Sequence, residues 1–402
     1  MNMEILFCGL MYDDQKEKAI LDNSRSGVGL PVAANVFQSN LIQGFYDNGC
    51  TQVCGLNSLP VGTWPKQYSK MILAGHHETV NGLSCFETPT LNIVGLKQIS
   101  RFVSARRALK DYINSHENAY IVTYNFYLPY YLAINSLNKK KMKFKVCTIV
   151  TDLPNEFGIV TEKGIRKILA NLIGKISMKL TKVTDSFVLL TEQMKLPLEI
   201  GNRPYVVVEG FAQIPKNNES VPVTSKRTIV YTGTMTKKFG VLNLVEAFER
   251  IKEKDVELHL YGTGDMDELL REKAEHNHKI KFRGSVSRDK VLDVQKRATI
   301  LVNPRGNNEE YTKYSFPSKT MEYFISGRPV AGFYLDGMPE EYRQYLLCFD
   351  KEDVESISQK LDTFLNYSDD ELNEIGRRTK EFAIKNKNYK IQTRRIIDLL
   401  QG

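Results

Sequence analysis

A polar stretch with two prolines, QIPKNNESVPVTSK at Gln213–Lys226, interrupts an otherwise regular alternation of short apolar runs and helical segments. No other feature restricts the fold as strongly: it has no periodicity to bury and reads as a linker between two bodies. Before it, strand-like runs fall at Glu4–Cys8, Gln52–Gly55, Ala119–Thr123, Phe144–Thr151, Ser186–Leu190 and Tyr205–Val208, with helical patterns at Leu30–Asn48, Lys97–Ser115 and Lys163–Thr184. After it, strands are expected at Thr228–Tyr231, Glu257–Tyr261, Lys279–Arg283, Ile300–Asn303, Val330–Phe333 and Leu346–Phe349. The helices of this second series are Val241–Lys252, Asp267–Glu275, Arg288–Arg297, Ser318–Ser326 and Glu352–Asn366, and Asp369–Leu400 reads as helical to the end. Strands separated by helices predict α/β architecture, and 402 residues suffice for two cores.

The expected domains are 1–212, a linker at 213–226, a second domain at 227–385, and a terminal helix at 386–402 packing back on the first. Two α/β domains joined by one linker imply a cleft. Ligands of open α/β sheets lie outside the carboxyl ends of the strands, so the strand-to-helix loops are where chemistry is sought.

Composition sets few limits. The net charge of +8 permits an acidic partner. It is uneven, because residues 1–212 hold 23 Lys and Arg against 17 Asp and Glu. The six cysteines are scattered without a CxxC spacing and read as reduced thiols of a cytosolic protein. MNMEILFCGLMYDD lacks the basic start of a signal peptide, and no window is apolar enough to span a membrane. The run His76-His77-Glu78 has no further ligand at a defined spacing and falls in a loop-like region, so it reads as surface rather than metal site.

Three loops of the second series carry phosphate-binding features. TGTMTKKFG, Thr232–Gly240, puts Gly233 and Gly240 beside Lys237 and Lys238 at a helix start. YGTGD, Tyr261–Asp265, lacks the third glycine of a dinucleotide fingerprint and reads as a tight turn. The long connection NPRGNNEEYTKYSFPSK, Asn303–Lys319, has no predicted structure of its own and runs into a helix with Ser315 as candidate N-cap and Gly327 as stop. Arg305 and Lys319 bring cations to that helix start. Lys319 either swings into solvent or helps neutralise an anion there. Glu322, one turn on, is an exposed helix residue or a carboxylate that accepts ribose hydroxyls.

In order and spacing, the blocks YTGTMTKKFGVLNLVEAF, VELHLYGTGD, IKFRGSVSRDKVLDVQKRATILVNPR and YSFPSKTMEYFISGRPV resemble the nucleotide-sugar domain of retaining glycosyltransferases of the GT-B fold, family 4. Within that family the likeness is to enzymes of bacterial capsular and exopolysaccharide biosynthesis. It covers about Ile229 to Gly332 and is loose in the first half. The resemblance implies two Rossmann-like domains and transfer of a sugar from a nucleoside diphosphate sugar, UDP-linked, to a growing lipid-linked glycan. It implies no cofactor and no divalent metal.

The same resemblance places the donor diphosphate at Gly233 and at Lys238 or Lys237, and the base near Arg283 and Gly284. It puts phosphate at the helix start formed by Ser315, Phe316, Pro317, Ser318 and Lys319, and the ribose at Glu322. Two positions depart from the family pattern. Tyr314 stands where a glutamate is usual, and Thr234 where an arginine often follows the glycine, so Arg305 or Lys319 is expected to supply the missing charge. These departures also admit a non-catalytic donor-binding subunit, and a GT-B epimerase is a further alternative.

In the first domain Gly27 and Gly29 belong either to an acceptor and phosphate loop or to a plain turn. Asp152 follows the strand FKVCTIVT and is read as the catalytic-side carboxylate or as the cap of the turn before Pro154. Lys163–Lys182 holds six basic residues and no acidic one on an amphipathic helix, and Asn138–Lys145 adds five lysines. Such a face suits either solvent or the anionic inner surface of the cytoplasmic membrane. No nucleic-acid recognition module is present in the sequence.

Overall fold

The structure is a computed structural model. It describes residues 3–25, 29–137, 141–154, 165–213, 226–253 and 255–402, with side chains of the helix at 165–180 from residue 171 onward. The chain divides into two compact units, Met1–Glu209 with Tyr389–Gly402, and Gly210–Asn388.

The first unit begins β1 (Glu4–Gly9), α1 (Glu17–Asp22), α2 (Val32–Asp47) and β2 (Val53–Asn57). Four short strands follow, β3 (Ile72–Leu73), β4 (His77–Val80), β5 (Leu83–Glu87) and β6 (Thr90–Leu91). The unit continues through α3 (Leu96–Ser115), β7 (Ala119–Tyr124), α4 (Leu128–Ser136), β8 (Phe144–Val150), α5 (Ile165–Leu180), β9 (Ser186–Leu189) and β10 (Tyr205–Val207). The main sheet has the order β10-β9-β8-β7-β1-β2-β5-β4 and is parallel except for β4, which pairs antiparallel with β5. Parallel strands are covered on both faces, which is why β1 and β7 read as near-continuous apolar runs.

The second unit runs β11 (Arg227–Thr232), α6 (Val241–Arg250), β12 (Val256–Tyr261), α7 (Asp267–His276), β13 (Ile280–Gly284), α8 (Arg288–Arg297) and β14 (Ile300–Asn303). It continues with α9 (Ser318–Ser326), β15 (Val330–Gly332), β16 (Leu347–Cys348), α10 (Val354–Leu365) and α11 (Asp369–Asn386). Its six strands form one parallel sheet in the order β13-β12-β11-β14-β15-β16. Local signals place the helices. Ser287, Asp353 and Ser368 cap α8, α10 and α11, the last with a reciprocal capping box to Glu371.

Asp369–Leu400 is helical except at Lys387-Asn388, where α11 has ended (Asn386) and α12 (Tyr389–Gln401) has not yet started. There the Asn388 amide donates to Ile384 O at 2.7 Å, and the buried Lys387 ammonium pairs with Glu341. α12 packs on α2, where a Cβ on Gly44 would lie 2.1 Å from Thr393 Oγ1. The His76-His77-Glu78 run departs from the expectation of a loop. His77–Val80 is the edge strand β4, polar because one face meets solvent.

Candidate functional site

Four loops of the second unit meet at the carboxyl ends of its strands. Tyr231 donates from its hydroxyl to Thr234 O at 2.9 Å, which folds the turn after β11 back on its own strand. Gly233 N donates to Tyr261 O at 2.9 Å, and Gly262 N to Gly284 O at 2.8 Å, so the turns after β11, β12 and β13 are joined by backbone. Here YGTGD acts as a close-packed turn: a Cβ on Gly262, at φ +136°, would sit 1.8 Å from Gly233 O. Gly240, at φ +74°, faces Pro304 O, which a Cβ would approach to 2.2 Å. That contact fixes the TKKFG turn against the start of the long connection.

The long connection is ordered by its neighbours. Asn307 N donates to the Glu352 carboxylate, the Asn307 amide donates to Tyr334 O at 3.1 Å, and a 3-10 turn forms over Glu310–Tyr314. The expectation of no structure there is therefore corrected. Tyr311, which the sequence reading did not single out, comes to lie against both predicted cations. Lys238 Nζ is 3.7 Å from its ring centroid and Arg305 Cζ is 4.6 Å from the same centroid. Arg305 Nη2 also donates to Ser315 Oγ at 2.5 Å, while its buried Nε has no partner. Burial lowers the guanidinium pKa. Neither Lys238 nor Arg305 pairs with a carboxylate among the described residues. Two uncompensated cations on one ring, one half-buried, form a place for an anion.

Ser315 is not the N-cap of α9. It lies before the helix, occupied by Arg305 and donating to Tyr311 O at 3.1 Å. Pro317 holds the cap position without a side-chain bond, which leaves the N–H groups at the exposed Ser318 without a capping side chain. Phe316 turns into the core against Tyr342, with ring centroids 5.2 Å apart, so its side chain is unavailable to a donor. Tyr314 ends the 3-10 turn half-buried.

Lys319 and Glu322 belong to a neighbouring network. Lys319 Nζ lies 3.3 Å from Glu322 Oε1 and Arg288 Nη1 3.6 Å from Oε2. The buried Gln295 amide donates to Glu322 Oε1 at 2.6 Å and to Thr232 Oγ1 at 2.9 Å. The local mismatch of a lysine at a helix start is thus met by a carboxylate three residues on. Glu322 is half-buried and held by three donors rather than an exposed helix residue. Gln295 was visible in the sequence only as a polar residue inside the apolar stripe of α8. Tyr323, fully buried, takes Thr232 N at 2.9 Å and approaches Thr232 O at 3.1 Å, and burial pushes its hydroxyl pKa up to about 12. Arg283, Thr234, Lys237 and Lys238 are exposed around the joined turns, and Gly284 is at φ +67°.

In the first unit, Asp152 is exposed just beyond β8. Its Oδ2 accepts from Thr151 Oγ1 at 3.0 Å and from the Asn125 amide at 3.4 Å. Asn125 sits at φ +55° and its Oδ1 takes Thr151 N at 2.7 Å, so this turn is fixed by side chains. Gly27 lies outside the described residues. A Cβ on Gly29 would meet nothing within 4 Å, so no close approach requires glycine there. His76 and Lys16 both reach Glu78, and no group of three His, Cys, Asp or Glu side chains with metal-site geometry occurs among the described residues. No described helix is long and apolar enough to cross a membrane.

The two sheets and their order define the fold of GT-B glycosyltransferases, and solved structures with this fold cover the whole chain. A sucrose-phosphate synthase from Thermosynechococcus elongatus superposes with TM-score 0.64 at 12% identity, covering 99% of this chain and 98% of its own. The lipopolysaccharide outer core galactosyltransferase WaaB gives 0.63 at 14% identity, with 99% of each chain covered. Anabaena HepE, solved in complex with UDP, gives 0.61 at 10% identity over 99% of this chain and 100% of its own. In sequence, residues 226–367 match the family model described as glycosyl transferases group 1. No curated protein matches the chain.

Proposed function

We propose that the protein is a retaining, metal-independent glycosyltransferase of family 4 type, acting in bacterial capsule or exopolysaccharide synthesis. It transfers a sugar from a UDP-linked donor to a growing, lipid-linked glycan on the cytoplasmic side of the membrane. The observation that carries this reading is the pair Lys238 and Arg305, gathered on Tyr311 without a carboxylate beside the start of α9. A diphosphate there is met by two cations and by helix N–H groups as it leaves, which stabilises its growing negative charge. Glu322, oriented by Gln295, Lys319 and Arg288, accepts ribose hydroxyls. The matched glycosyl transferases group 1 domain supports this assignment, as does UDP in the similar HepE structure.

Asp152, held by Thr151 and Asn125, orients the acceptor hydroxyl or stabilises positive charge on the sugar. The basic segment Lys163–Lys182, whose first two residues and whose side chains before Asn171 lie outside the described residues, offers peripheral attachment to anionic lipid. The test is release of nucleoside diphosphate from a panel of nucleotide sugars, with and without membrane lipid extract. Acceptor-dependent release that Lys238→Ala and Asp152→Asn each reduce supports the reading. Interconversion of the sugar without transfer would instead make the protein an epimerase, and binding without turnover a donor-binding subunit.

A further inference from the structure

The helix α3 buries Lys97, Arg101, Ala105, Leu109 and Ile113, one residue every four, along the face turned to the sheet. The opposite face is unusual. Leu96, Ile99 and Val103 lie within about 60° of each other around the axis and are 44%, 59% and 56% exposed. Val94, just before the helix, is 75% exposed, and Ile72, on the strand paired with β6, is 63% exposed. The Ser100 hydroxyl of α3 accepts from Leu91 N at 3.0 Å, so β6 lies against this helix. Single exposed apolar residues are ordinary, but a contiguous group of this kind marks an interaction surface.

Charge identifies what it meets. From Leu96 to Lys110 there are five Lys and Arg and no Asp or Glu. On the apolar side of the helix the stripe passes into Arg106, Arg107 and Lys110, all exposed. Neither Arg107 nor Lys110 pairs with a carboxylate among the described residues. The topology extends the surface. The chain steps β5, β7, β8, β9 in one direction across the sheet, so right-handed crossovers put α3, α4 and α5 on one side. They pack α3 on α4 and α4 on α5. The outer side of α5 repeats the pattern with exposed Leu172, Ile173, Lys175 and Lys179. A surface that is apolar at one end and cationic at the other fits an anionic bilayer, whose acyl boundary and headgroups take the two parts.

We propose that the outer face of α3 is a membrane-docking surface for anionic lipid. This deepens the glycosyltransferase reading, because it brings the unit carrying Asp152 to where a lipid-linked acceptor resides. Vesicle binding is nonetheless measured without donor or acceptor, so the two ideas fail separately. The test is co-sedimentation of the full chain with vesicles of phosphatidylcholine alone and with phosphatidylglycerol added, at low and high salt. The expected result is binding that requires the anionic lipid and weakens at high salt. It should fall about tenfold in Ile99→Ser/Val103→Ser and in Arg107→Glu/Lys110→Glu, with unfolding midpoints unchanged. The proposal is overturned if the chain ignores anionic vesicles, or if only Lys175→Glu/Lys179→Glu weakens binding. It is also overturned if the α3 substitutions abolish a concentration-dependent dimer instead, which would make this face a contact between copies of the chain. Loss of donor binding with vesicle binding intact counts against the glycosyltransferase reading alone.

Discussion

Lys238 Nζ lies 3.7 Å from the centroid of the Tyr311 ring, and that contact joins two loops that are 73 residues apart in sequence (311 − 238 = 73). Arg305 approaches the same ring at 4.6 Å. The ring therefore holds two like charges near each other without an intervening carboxylate. The arrangement costs energy in the free protein and favours an anion that neutralises both.

Replacing Tyr311 separates the ring's role from that of its hydroxyl. Tyr311→Phe should keep nucleoside diphosphate affinity within about twofold, and Tyr311→Leu should lose about tenfold, in line with one to two cation–π contacts. Calorimetric titration reads both, and the slope of log Kd against log salt should be shallower in the leucine variant.

Gly240→Ala should act on the same site through backbone. The position combines φ +74° with a Cβ that would meet Pro304 O at 2.2 Å, and Pro304 is backbone that cannot swing aside. We expect a loss of about 1–3 kcal/mol in unfolding free energy. Donor affinity should fall in parallel, measured by denaturant titration with and without UDP.

Tyr323 fastens α9 to the end of β11. Its hydroxyl is fully buried and serves Thr232 N. Tyr323→Phe strands that N–H and should cost about 1–3 kcal/mol. The unfolding midpoint should shift while the slope with denaturant stays constant.

Lys97 supplies a pH dependence. It is buried, donates to Val61 O at 2.5 Å, and has its pKa lowered to about 7 by burial and then by Arg101. A lysine with a depressed folded pKa binds more protons unfolded than folded between about pH 7 and its ordinary range. Stability should therefore rise with pH across pH 7 to 9, by at most about 1.4 kcal/mol per pH unit from this group. Comparing urea midpoints of the wild type and Lys97→Met isolates the effect. A difference between them that stays flat with pH would remove it.

Much of the fold was legible because parallel strands buried on both faces leave continuous apolar runs. Ile300–Asn303 and Arg288–Arg297 end where the sequence pattern ends, with Ser287 as cap. The strands at Ile72–Leu73 and Thr90–Leu91 were not legible, since two residues carry no period. β4 was missed because its exposed face makes it read as polar loop. In the site, cations and glycines announced themselves through loop position. Their partners did not. Tyr311 and Gln295 act through contacts that bring distant loops together, and Ser315 has the residue type of a cap although Pro317 holds that place.

In the proposed donor site, Lys238 and Arg305 hold the diphosphate of a nucleoside diphosphate. Calorimetric titration with UDP and with uridine, on the wild type and on Arg305→Ala, tests it directly. UDP should bind far more tightly than uridine, and Arg305→Ala should lose at least about tenfold for UDP while leaving uridine unchanged. Equal affinity for UDP and uridine, or a variant that binds UDP as well as the wild type, would contradict it.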